Sequence, residues 1–111
     1  MQMNKYLETY HIKDIRSYCQ NRCIKIVNED LNNKELLPYF RGKYKGYIYM
    51  IKVCNNILKQ NTNLKRHELY NHLKEQKRTA MYNCKIRGGF STGLTECFYD
   101  LMNQFFQIKL S

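Results

Sequence analysis

Apolar residues recur at steps of three and four in four stretches of this chain, which is the spacing of one face of an α-helix. The four predicted helices cover residues 12–28, 47–60, 64–77 and 91–108. The apolar face of the first helix is predicted to contain Ile12, Ile15, Cys19, Cys23 and Ile26. The second stretch is also rich in β-branched and aromatic residues, but its length and period favour a buried helix over a strand. The pattern therefore predicts a mainly helical protein.

The period changes to two at Thr79, which is typical of a β-strand. Ala80 and Tyr82 alternate with Met81 and Asn83, and the alternation continues to Arg87. Gly88-Gly89 then permits a tight turn with positive φ, and Phe90 would begin a short return strand. We therefore predict a small β-hairpin after the third helix.

The length of 111 residues predicts a single domain. Pro38 disfavours helical geometry at Leu37, so a boundary is expected there. Gly42 and Gly46 are interpreted as the ends of a basic linker. The chain is divided into an N-terminal helical segment, a basic core and a C-terminal apolar helix, at residues 1–38, 39–90 and 91–111.

Positive charge is concentrated in the middle of the chain. Residues 39–90 contain twelve Lys and Arg against Glu68 and Glu75, a net charge of +10 that equals the net charge of the whole protein. Repulsion at this density opposes a compact fold, so a polyanionic partner is expected, and nucleic acid is the commonest one. A Lys-rich proteome would also produce a basic protein, but it would not exclude acids from one segment.

A helix, a three-residue turn at 61–63, a basic helix and a basic hairpin follow one another after Gly46. This layout resembles the winged helix-turn-helix DNA-binding proteins over residues 46–90. The resemblance implies a mainly α domain with a small β-hairpin, whose third helix enters the major groove of double-stranded DNA. The hairpin would contact the backbone or the minor groove. An alternative register places the recognition helix at residues 79–84.

Side-chain chemistry assigns roles within this layout. Arg66, His67 and Asn71 are of types that read base edges in the major groove, with an inward-facing position as the alternative for His67. The remaining cations are predicted to bind phosphate or, near Gly88, to enter a minor groove. The predicted nucleic-acid-binding residues are Lys43, Lys45, Lys65, Arg66, His67, Asn71, Lys74, Lys77, Arg78, Lys85 and Arg87.

Five tyrosines interleave with these cations, at positions 44, 47, 49, 70 and 82. We interpret them as core or rim residues, with stacking on single-stranded bases as the alternative.

The last apolar stripe has two interpretations, the core of one chain or the interface of a homodimer. Helix-turn-helix proteins commonly bind two half-sites as dimers, which favours a homodimer. Adjacent helical residues diverge by about 100°, so Phe105 and Phe106 are not both expected to face the core. The predicted dimer interface is Leu94, Phe98, Leu101, Phe105 and Phe106.

The sequence offers little for catalysis or cofactors. It contains no Gly-rich phosphate loop, no HExxH and no CxxC pair, so we predict neither an enzyme nor a metal or cofactor site. Five Cys without paired spacing are expected to be free thiols in a reducing compartment. Without a signal peptide or an 18-residue apolar run, we expect a cytoplasmic protein that does not insert in a membrane.

Together these features predict a sequence-selective double-stranded DNA-binding protein of a plasmid, phage or other mobile element. Its role would be transcription regulation or assistance at a replication or transfer site. Two alternatives remain, a protein inhibitor of a host nucleic-acid-handling complex and an RNA-binding protein.

Overall fold

The computed structural model of the chain describes residues 7–60, 64–83 and 88–106. Within these residues the chain forms four α-helices. Helix α1 is Thr9–Lys25, α2 is Leu37–Gln60, α3 is Arg66–Tyr82 and α4 is Gly89–Phe106. A π-helical turn, Ile26–Asp30, continues α1 before the chain reverses toward α2.

The predicted winged helix-turn-helix fold with a β-hairpin is wrong, because the parts of the chain that are described contain no β-strand. Residues 79–82 complete α3 instead of beginning a strand. Ala80 lies seven residues after Leu73 and is buried on the same side of the helix, so the apolar face simply continues. Residues 84–87, including Lys85 and Arg87, lie outside the described residues. The positive φ expected at the Gly pair is found at Gly88, at +58°, but it precedes α4 rather than a return strand.

Helix α2 begins ten residues earlier than predicted. Pro38 occupies its first turn, where a missing N–H leaves no helical hydrogen bond unmade. Gly42 and Gly46, predicted to end a linker, are buried inside the helix. A Cβ placed on Gly42 would lie 2.0 Å from the carbonyl oxygen of Phe90, so these glycines allow α2 and α4 to approach closely.

The helices pack in an order that differs from the sequence order. Helix α2 packs against α1 on one side and α4 on the other, and α3 packs against α4. The predicted helix-turn-helix pairing of the second and third helices is therefore not the main contact, since α4 supports both.

One core joins all four helices. The predicted apolar face of the first helix is confirmed, because Ile12, Ile15 and Cys19 are almost completely buried. The amide of Leu7 donates a 2.9 Å hydrogen bond to the carbonyl of Leu64, which ties the start of the described chain to the start of α3. The side chains that fill the centre include Tyr47, Met50, Cys54, Leu69, Leu73, Cys97, Phe98 and Leu101.

Candidate nucleic-acid interface

Helix α2 contains five Lys and Arg residues and no acid. Its inner face is fixed by Tyr47, Met50 and Cys54, which are fully buried. The opposite face carries four exposed cations at positions i, i+4, i+11 and i+18, which fall within about 40° of one another around the helix and span about 27 Å. We call this set the α2 stripe: Arg41, Lys45, Lys52 and Lys59.

Lys43 projects from the other side of α2 and does not join the α2 stripe. It is half-buried, and its ammonium lies 5.6 Å from the centre of the Tyr39 ring. It faces a pocket of about 230 Å³ between α1, the π-helical turn and α2. The pocket is lined by Arg22, Lys25, Ile26, Asp30, Phe40 and Lys43.

Helix α3 presents a second polar face to solvent. Leu69, Leu73 and Ala80 hold its inner side against the core. The outer side carries four exposed residues at i, i+4, i+7 and i+11, a spacing that places them on one face. We call this set the α3 face: His67, Asn71, Lys74 and Arg78.

Arg78 of the α3 face forms an ion pair. Its Nη2 lies 2.9 Å from Oε1 of Glu75, one turn away on the same helix. Both side chains are largely exposed, so water and salt compete with the pair and it contributes little to folding. Arg78 can therefore exchange Glu75 for a phosphate or a base at small cost.

The other predicted residues of this region flank the α3 face. Lys65 is the N-cap residue of α3 and Arg66 its first residue, and both are partly buried. Lys77 points toward α4, with its ammonium 5.1 Å from the centre of the Tyr99 ring.

A groove of about 200 Å³ separates α2 from α3. Lys45 and Tyr49 of α2 and Gln76 and Thr79 of α3 form its sides, and α4 supplies an apolar floor that includes Phe98. The hydroxyl of Tyr49 and Nε2 of His72 share a 2.6 Å hydrogen bond that joins the two helices nearby. The groove therefore brings Lys45, at one edge of the α2 stripe, close to α3.

Sequence reasoning found the α3 face but missed most of the α2 stripe. Only Lys45 of that stripe was among the predicted binding residues, and Arg41, Lys52 and Lys59 were not. Lys52 and Lys59 lie seven residues apart within the predicted helix 47–60, so their common face was visible in the sequence. Arg41 and Lys45 join that face only once the helix is extended back to Leu37. The glycines at 42 and 46 concealed that extension.

A polar network among α1, α2 and α4 fixes how these three helices pack together. Oδ2 of Asp100 accepts hydrogen bonds of 2.7 Å from Tyr18 and 2.5 Å from Tyr47. Nε of Arg22 lies 3.8 Å from the same oxygen. Burial, together with the bond to Asp100, raises the pKa of Tyr18 to about 12 and also raises the pKa of Tyr47. Both hydroxyls therefore stay protonated and donate to Asp100 at neutral pH.

The network was not predicted, because spacing carries no signal for it. Tyr18 and Asp100 are 82 residues apart, and Tyr47 and Asp100 are 53 apart. Only the packing of three helices brings them together.

The cysteines in the described part of the chain are buried in the core. Cys19, Cys23, Cys54 and Cys97 are buried and free, and burial raises the pKa of each, that of Cys54 to about 11. They are therefore protonated, weakly nucleophilic core residues at neutral pH.

In residues 7–60, 64–83 and 88–106, no group of three or more His, Cys, Asp or Glu is arranged to hold a metal ion. Across the same residues, no helix combines the length and apolar character needed to cross a membrane.

The residues predicted for a dimer interface are largely covered by other residues of the same chain. Phe98, Leu101 and Phe106 are buried, while Leu94 and Phe105 are half-buried. Both terminal Phe rings find partners in the chain itself, Phe105 with Tyr18 at 5.3 Å and Phe106 with Tyr70 at 5.9 Å between ring centres. Dimerisation through α4 stays a prediction.

Comparison of the chain with protein-family models, curated proteins and solved structures found no match. We therefore infer function from the chemistry of the α2 stripe and the α3 face.

Proposed function

We propose that the protein binds double-stranded DNA, with the α2 stripe on the phosphate backbone and the α3 face directed at base edges. The observation that carries the proposal is the complete absence of acids from α2, where four of five cations share one exposed face. A nucleic-acid partner gives these charges a favourable role.

The charge arrangement is unfavourable for the isolated protein. Arg41 and Lys45 are four residues apart on α2, and Lys74 and Arg78 are four apart on α3. Like charges at this spacing destabilise a helix by about 0.2–0.5 kcal/mol per pair. Phosphates placed between them would convert that repulsion into attraction.

The dimensions of the α2 stripe suit a duplex. Its length of about 27 Å corresponds to about eight base pairs, at a phosphate spacing of about 3.4 Å along the axis for each strand. Four cations over this distance can contact several phosphates, which sets register and orientation without reading sequence.

The α3 face supplies the groups that read sequence. Asn pairs with adenine and Arg with guanine in the major groove, which is wide enough to admit an α-helix. Asn71 and Arg78 lie on one side of α3, with Lys74 between them and His67 one turn before Asn71. We assign Asn71, Arg78 and His67 to base edges and Lys74 to phosphate.

We further propose that the protein acts as a homodimer. Its role would be that of a transcription regulator, or of an accessory factor in replication or transfer, of a mobile element. A cytoplasmic location belongs to the same proposal, because buried unpaired thiols suit a reducing compartment.

The test is duplex binding measured by gel shift between about 50 and 200 mM salt. Each phosphate contact contributes about 0.9 to the slope of log K against log salt. We expect the double variant Lys52→Gln/Lys59→Gln to weaken binding and to lower the slope by about 1.8.

The matched control is Lys13→Gln/Lys34→Gln, which removes the same charge from exposed positions outside α2 and α3. It should leave the slope unchanged. Equal effects of the two double variants, or wild-type binding that ignores salt, would contradict the proposal. Structured RNA that competes better than duplex DNA would identify RNA as the partner.

A further inference from the structure

We propose that the C-terminal end of α3 and the adjoining side of α4 bind one or two unpaired bases, next to the duplex site. This inference rests on the proposed function and adds a class of substrate, DNA in which a duplex adjoins a single strand. Residues at the site combine exposed aromatic and thioether groups with cations. We call this set the stacking patch: Lys74, Lys77, Arg78, Met81, Tyr82 and Tyr99.

Three members of the stacking patch are large apolar side chains that lie more than half exposed. Tyr82 is 80% exposed, Met81 53% and Tyr99 52%. The rings of Tyr82 and Tyr99 therefore add little to the core, and an aromatic ring in water gains from stacking against another flat group.

The cations lie among these side chains. Met81 follows Lys77, and Tyr82 follows Arg78, by four residues, so each pair is adjacent on the surface of α3. Lys77 reaches the ring of Tyr99 on α4, with its ammonium 5.1 Å from the ring centre. Lys77 therefore connects the ring of Tyr99 on α4 with the exposed side of α3 that carries Met81, Arg78 and Tyr82.

This combination favours nucleic acid over a protein partner. Proteins that bind single strands place cations along the phosphates and stack successive bases on aromatic rings. Lys is depleted at the centre of protein–protein interfaces, whereas Lys74 and Lys77 lie among the rings here. The patch also shares Lys74 and Arg78 with the α3 face, so a strand leaving the duplex would reach it directly.

Tyr10 is an exposed tyrosine that can be compared with Tyr82 and Tyr99. It is 61% exposed on α1, and its ring lies against His11 with ring centres 4.0 Å apart. It is not part of the stacking patch, so an effect of exposed tyrosine in general would appear at Tyr10 as well.

The experiment compares fluorescence anisotropy binding of four ligands: a blunt duplex, the same duplex with an overhang of about six DNA nucleotides, the same with an RNA overhang, and the single strand alone. We expect the overhang to tighten wild-type binding about tenfold. Tyr82→Ala/Tyr99→Ala should remove that gain and leave blunt-duplex affinity unchanged. Tyr82→Phe, which keeps the ring, and Tyr10→Ala should both retain the gain.

The outcomes separate this inference from the proposed function. Blunt-duplex binding with no gain from either overhang, or a double variant that keeps the gain, overturns the stacking patch and leaves duplex binding intact. Single-strand binding that is lost in the double variant, without any blunt-duplex binding, supports the stacking patch and overturns duplex binding. If only one of the two overhangs tightens binding, the result identifies the sugar of the unpaired strand. If the protein binds none of the four ligands, both ideas are overturned.

Discussion

Helices α2 and α4 pack against each other yet differ completely in charge. The 24 residues of α2 carry five cations and no acid, while the 18 residues of α4 carry Glu96 and Asp100 and no cation. Each of these helices packs between two other helices, α2 between α1 and α4 and α4 between α2 and α3, and one third of the residues of each are exposed. The difference in charge therefore does not follow from burial, and we assign the cations of α2 to DNA.

The largest expected effect comes from separating these two helices. A Cβ on Gly93 of α4 would lie 1.9 Å from the carbonyl oxygen of Tyr39, a backbone atom that cannot move alone. Gly93→Ala should therefore reduce the free energy of unfolding by about 3 kcal/mol, measured by urea denaturation.

Gly89→Ala is the control for this variant. Its Cβ would meet Pro38 at an ordinary 3.5 Å, and Gly89 has no positive φ. Gly89→Ala should be tolerated, and equal stability of the two alanine variants would refute the close contact between α2 and α4.

A smaller effect is expected from the acid that joins the helices. Asp100→Ala would leave the fully buried Tyr47 without the acceptor of its 2.5 Å hydrogen bond. An unsatisfied buried hydroxyl costs about 1–3 kcal/mol, so we expect a loss of about 2 kcal/mol in urea denaturation. Glu96→Ala removes the same charge from an exposed site of α4 and should change stability by less than about 0.5 kcal/mol. Similar losses for both variants would mean that net charge, not the network, is responsible.

The smallest effect concerns the outer tyrosine of the same network. The pKa of Tyr18 is about 12 in the folded chain against an ordinary 10.0, so the unfolded chain releases this proton first as pH rises. The stabilisation is complete below about pH 10 and is lost as pH rises toward 12. Tyr18→Phe should lower stability by about 1 kcal/mol at pH 8 and lose less than the wild type between pH 10 and 11.5. An unchanged pH dependence in urea denaturation would remove Tyr18 from this role.

The features that depend on local periodicity could be predicted from the sequence. The buried face of α1 and the outer face of α3 depend on residues within a few turns of one another, so Ile12, Ile15, Asn71 and Lys74 were placed correctly. The alternation after Thr79 fits both a strand and the end of a helix, and contact with α4 decides it. Local pattern could not provide that contact.

The remaining errors come from distant contacts. Gly42 was interpreted as a linker residue because its packing partner, Phe90, lies 48 residues away. Missing the start of α2 then hid the alignment of Arg41 and Lys45 with Lys52 and Lys59. Asp100 was given no role for the same reason, since both tyrosines that donate to it are on other helices.

The most direct measurement is a ¹H–¹⁵N correlation spectrum of the protein titrated with a duplex of about twelve base pairs. The α2 stripe and the α3 face should shift most, with Lys45, Lys52 and Asn71 among the affected amides, while exposed Glu96 and Asn103 of α4 should shift little. Shifts that concentrate on α1 or α4, or an unchanged spectrum at low salt, would contradict the assignment of DNA to the cationic helix.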